Sequence, residues 1–233
     1  MAKFEIKTDW HVLLLGEALV FESLGRLLYE ELDKAWLQSL LKEDVFEDVP
    51  FGAEQHETKL GLELLQNWAR ENEAGISDKS FDDLRVDYTR LFVGIKKVLA
   101  PLWESVYFNQ DRMVFQEQTL QVRAWYRRFG LEPEKLYQEP DDHIGLELLF
   151  LVHLAKLGLQ ALEENDQAGS EKYLQAQRDF LSEHLLRWGP AWAKLVRQHA
   201  TTDFYRGLAH LVHGTLLAVA ELLEVEVPKE KMN

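Results

Sequence analysis

Apolar residues recur at intervals of three and four along almost the whole chain, and no run alternates with period two between hairpin turns. That combination restricts the fold to packed helices, an all-α class. In residues 10 to 31, Leu14, Ala18, Phe21, Leu24 and Leu28 share one face, with Glu17, Glu22, Arg26 and Glu30 between them. Further helices are expected at about 34–43, 54–73, from Asp78 to Gly94, at 116–129, from "EPDDH" through Leu162, at 170–188 and at 203–224. Gly75, Gly94 and Gly130 stand where helices should stop. In "RWGPAW", Gly189 is expected to take a left-handed cap and Pro190 to open the next helix.

No linker, low-complexity tract or internal repeat interrupts the 233 residues, so one domain spanning residues 1–233 is expected. Lys+Arg 26 against Asp+Glu 40 gives a formal charge of -14, the wrong sign for binding phosphates by counterion release, so no nucleic-acid partner is expected. The same field attracts cationic partners. The absence of cysteine removes disulfides, thiolate metal sites and thiol nucleophiles. Glu17 and Glu22 interrupt the first apolar run before a cleavage site, and no stretch has the ~18–20 uninterrupted apolar residues of a membrane span. A soluble, cytoplasmic chain with no stable membrane insertion is the expectation.

Two places break the helical pattern. Residues 95–115, "IKKVLAPLWESVYFNQDRMVF", form a long connection with Trp103, Tyr107 and Phe108 where solvated polar residues would be usual. Such rings suit a binding surface, or else pack onto the helices as part of the fold. The second place is "EPDDH", residues 139–143. Pro140 fits a first helical turn, and Asp141 and Asp142 fall where the helix dipole favours negative charge, so an acidic helix start explains them structurally. Two acids and a titratable imidazole beside aromatic rings would also suit recognition of a guanidinium.

Catalytic and metal chemistry find little purchase. Asp142 and His143 are adjacent and point to different sides of a helix, and no His-Glu-x-x-His or paired Glu-x-x-His motif occurs. His210 and His213 stand three apart without further ligands and read as solvated or satisfied in the core. Phosphate loops and a Gly-x-Ser-x-Gly elbow are missing. No metal, no cofactor and no enzymatic activity are expected, with a plain helical scaffold as the competing class and a metal-dependent hydrolase third.

Read in order, "DYTRLFVG" (87–94), "APLWESVYF" (100–108), "EPDDHIG" (139–145), "HLLRWGPAW" (184–192) and "TDFYRGLAHL" (202–211) resemble the TorD/DmsD family of redox-enzyme maturation chaperones. The likeness covers about residues 80–220 and is weak over residues 1–79. It implies a cytoplasmic all-helical chaperone for a molybdenum oxidoreductase, which binds the twin-arginine leader or the apoprotein and delays export until molybdopterin is inserted. It also implies a monomer or a dimer that exchanges helices. Carried over by position, the peptide surface would use Tyr88, Leu91, Phe92, Pro101, Trp103, Glu104, Ser105, Tyr107, Glu139, Pro140, Asp142 and His143. Asp142 and Glu139 would take the arginines and Trp103, Tyr88 and Phe92 the apolar run, with His143 positioning the acids.

Overall fold

A computed structural model of the chain describes residues 9–94, 97–132 and 139–228. Helices α1 (Trp10–Tyr29), α2 (Lys34–Lys42), α3 (His56–Glu71) and α4 (Asp78–Tyr88) come first, followed by the single turn α5 (Ser105–Phe108) and by α6 (Glu117–Arg128). The C-terminal half holds α7 (Ile144–Glu163), α8 (Gln167–Phe180), α9 (Leu186–His199) and α10 (Asp203–Leu222). Among the described residues the one β pairing is an isolated antiparallel bridge between Trp103 and His143. The all-α class read from the periodicity is therefore the class found.

Side-chain caps start several helices where the sequence offers them. Asp33 accepts from Trp36 N at 2.7 Å, Ser77 from Ser80 N at 3.0 Å and Asp166 from Gly169 N at 2.9 Å, each satisfying a donor the helix itself leaves open. Gly75, Gly94 and Gly130 all take positive φ, as their stop positions require. Of the expected 95–115 connection, Ile95 and Lys96 lie outside the described residues, as do residues 133–138 after α6.

One expected break is absent. Pro190 lies inside α9, and Gly189 does not take positive φ. A Cβ placed on Gly189 would come 2.9 Å from Leu216 Cδ1, so this glycine serves the close packing of α9 on α10. The irregularity sits earlier instead, as a π-helical turn at Leu181–Leu185 between α8 and α9, and a second π turn at Thr89–Val93 extends α4.

The core is organised around two helices: α7 packs against α1 and α8, and α10 against α3 and α9. Leu14, Phe21, Phe150, Phe180, Trp188, Trp192 and Phe204 are fully buried between them. Each such side chain contributes about 1.5–3 kcal/mol by leaving water. Although α7 is long and apolar enough to cross a membrane, it is mostly buried here by its neighbours. Polar ties join the same layers. Asp87 on α4 accepts from Thr201 N, Thr202 N and Thr202 Oγ1, which pins the start of α10. His210 and His213 close on Glu57 of α3, with His210 Nδ1 2.8 Å from Glu57 Oε2, and Arg197 Nη1 donates to the same oxygen at 3.2 Å.

Candidate functional site

The two irregular stretches lie side by side. Glu104 N donates to Asp142 O at 2.9 Å and Ile144 N to Leu102 O at 2.8 Å, which zips residues 102–104 to residues 142–144 around the Trp103–His143 bridge. The acids do not form the first turn of α7, contrary to the sequence expectation. His143 is the N-cap, its Nδ1 accepting from Gly145 N at 3.0 Å, and Pro140, Asp141 and Asp142 precede the helix. The reason is that both carboxylates are already committed inward. Asp142 Oδ2 accepts from Ser105 N and Oδ1 from Thr119 Oγ1, both at 2.7 Å, so one buried side chain holds α5 and α6 together. Arg123 Nε donates to Asp141 Oδ2 at 2.6 Å, and Tyr126 OH donates to Asp141 O at 3.0 Å.

Beneath this seam lies a buried group of acids. Glu104 Oε2 meets His184 Nδ1 at 2.7 Å, and Trp188 Nε1 donates to Glu147 Oε2 at 3.2 Å. Burial raises the Glu104 carboxyl above its ordinary range, opposed by His184. Glu147 is raised well above it by burial and then by the nearby charges of Glu104 and Asp142. Among the described residues, no group of three or more His, Asp or Glu side chains is arranged to hold a metal ion.

Of the twelve residues singled out from the sequence, four reach the surface: Tyr88, Trp103, Tyr107 and Glu139 are partly exposed. The other eight, Leu91, Phe92, Pro101, Glu104, Ser105, Pro140, Asp142 and His143, are buried. Trp103 Nε1 donates to Glu139 Oε1 at 2.7 Å, and Tyr107 OH donates to Pro101 O at 2.8 Å, so both ring systems are held in place by their polar ends. Tyr88 stands edge-on to buried Phe92, with ring centroids 5.2 Å apart. Its phenol is pushed up by burial and then by the negative charges of Glu139 and Glu31. His143 is edge-on to Trp103 on one side and to Tyr29 on the other, at 6.0 and 5.3 Å.

Tyr29 and Glu31, at the end of α1, were not found by sequence reasoning. Neither belongs to a motif, and helical spacing alone does not say which helix end meets which loop. Chemically, the surface offers the Glu139 carboxylate against the partly exposed ring of Trp103, with the negative charge of Glu31 also acting on Tyr88. Carboxylates accept the paired donors of a guanidinium, and ring faces attract cations.

A family model described as nitrate reductase delta subunit matches residues 53–194, more than half of the chain. The chain is 29% identical over 178 residues to the Tat proofreading chaperone DmsD of Salmonella typhi, covering 71% of this chain and 80% of that one. It is 33% identical over 129 residues to the chaperone protein TorD of Vibrio cholerae serotype O1, covering 55% of this chain and 57% of that protein. To TorD of Aliivibrio salmonicida it is 28% identical over 130 residues, covering 56% and 59%. Together with the ordered motifs and the all-helical fold, these matches show that the chain belongs to the TorD/DmsD family of redox-enzyme maturation chaperones.

Proposed function

We propose that the chain is a cytoplasmic, single-domain chaperone that captures the twin-arginine leader of an unexported molybdenum oxidoreductase and delays its export until the cofactor is inserted. The observation that carries this reading is the half-exposed Glu139 carboxylate held against the partly exposed indole of Trp103, close enough to Tyr88 for its charge to act on that phenol. A twin-arginine leader presents two guanidinium groups and then an apolar run, so its receptor needs carboxylates next to apolar or aromatic surface. Glu139 and Glu31 can each accept a forked guanidinium, and a planar guanidinium stacks on Trp103 in a way that an ammonium does not.

The buried residues act from beneath. Asp142, Glu104, Ser105 and His143 hold residues 101–108 against the start of α7, and Leu91 and Phe92 anchor the helix that carries Tyr88. The leader touches the rings and carboxylates that this frame presents.

Titration calorimetry with a synthetic twin-arginine leader tests the reading. Saturable binding in the micromolar range, roughly -8 kcal/mol, is expected. Glu139→Gln should weaken it about tenfold with an unchanged melting temperature, since the glutamine oxygen can still accept from the Trp103 indole on this partly exposed surface. A wild-type protein that gives no saturable heat with the leader overturns the proposal.

A further inference from the structure

The apolar run of a leader needs a seat of its own. Leu91 and Phe92 are closed inside the fold, and the indole of Trp103 is held edge-on by Glu139. A cleft of about 240 Å³ lies next to that surface, with Tyr29, Tyr126, Leu131, Leu146, Leu149 and Phe150 as its lining and Glu132 at its rim. Tyr126 and Phe150 are buried and make the floor, while Leu131, Leu146 and Leu149 are half-buried walls.

Tyr29 joins the two places. Its ring meets His143, His143 meets Trp103, and Trp103 holds Glu139, so a row of rings runs from the acids to the cleft. The walls are also backed by close backbone packing. A Cβ on Gly145 would come 2.8 Å from both Gly25 O and Tyr29 Cβ, so α1 and α7 touch almost backbone to backbone at this point. Such an approach leaves the helices little room to close the cleft.

Its size falls below the ~300–1,000 Å³ of small-molecule sites, which suits a few apolar side chains of a peptide. Charge selects the same occupant. Glu132 stands at its rim, whereas the cleft against α4 is rimmed by Arg85, Arg90 and Lys97 beside Asp82, and a third apolar cleft, with Asp48 at its edge, lies between α1, α2 and α10 and does not include Tyr29.

We propose that this cleft receives the apolar side chains of the leader whose arginines engage Glu139 and Glu31, so that one extended peptide spans both. The inference rests on leader capture and adds a second, separable subsite. Two peptides test it by calorimetry on the full chain: the intact twin-arginine leader, and the same leader with its apolar run replaced by serine and glycine. The double variant Leu146→Gln/Leu149→Gln should bind the intact leader at least about tenfold more weakly than wild type. It should bind the serine-glycine leader as wild type does, which a general loss of structure would not allow. If the double variant is already unfolded at the assay temperature, Leu131→Gln, outside any helix, takes its place with the same expected pattern. Unchanged affinity for the intact leader, while Glu139→Gln still weakens it, overturns the cleft and leaves leader capture standing. Equal weakening for both peptides also overturns the cleft, and no binding by wild type overturns both.

Discussion

Asp142 is the position where an arginine-binding acid and a structural brace make opposite predictions. Its carboxylate is fully buried and accepts from Ser105 N and Thr119 Oγ1, both at 2.7 Å. Asp142→Ala leaves those two donors unpaired in the interior, at about 1–3 kcal/mol each, so a loss near 4 kcal/mol is expected. For a chain of this size that corresponds to a fall in Tm of roughly 8–16 °C, read by calorimetric or circular-dichroism melting. Asp142→Asn is the informative contrast. Its oxygen can keep the Ser105 N–H, and its NH2 can donate to Thr119 Oγ1, whose hydroxyl is free to rotate. It also removes a charge from beside Glu104 and Glu147. The Asn variant should therefore melt within a few degrees of wild type and keep its leader affinity within about threefold. If Asp142→Asn instead loses leader binding tenfold or more with an unchanged Tm, the charge itself meets the peptide and the brace reasoning is refuted.

Glu17 lies fully buried on α1, with the Gln177 carboxamide in contact, and burial pushes its carboxyl up to about 8 from 4.5. Between those two pH values the folded state holds one more proton than the unfolded chain, so stability falls as pH rises, by at most about 1.4 kcal/mol per unit. Glu17→Gln should flatten that dependence and raise the urea midpoint at pH 8 more than at pH 5; parallel pH profiles for the two proteins would exclude the burial argument. Gly61→Ala places a Cβ 2.9 Å from both Gly207 O and Leu211 N, backbone atoms that cannot step aside, and forces α3 from α10. A loss of about 1–3 kcal/mol in denaturant titration is expected, and a wild-type midpoint would show that the two helices have slack.

Much of the fold was legible because its signals are local. The period of α7, the caps at Ser77 and Asp166 and the positive-φ glycines each depend on a few adjacent residues. Pro190 shows where local rules stop. A Gly-Pro pair reads as punctuation, yet Gly189 is placed by Leu216 of α10, and the irregular turn that precedes Pro190 occurs at Leu181–Leu185. No residue near the pair announces that contact.

The candidate site divides along the same line. That residues 101–108 and 139–143 both depart from helical periodicity is visible in the sequence, and the structure brings them together. Which carboxylate faces water is not visible, because outside a regular element spacing gives no side-chain direction. Asp142 turns inward because Ser105 N, at the start of α5, needs an acceptor; Glu139, three residues earlier, accepts from the indole of Trp103 and keeps the surface. A donor that would otherwise be orphaned in the interior costs more than a surface acid gains, so the frame claims its acids first. Recognition is then left to the remaining carboxylates. That ordering explains why Glu31, a residue in no motif, stays exposed while the motif acid Asp142 does not reach solvent.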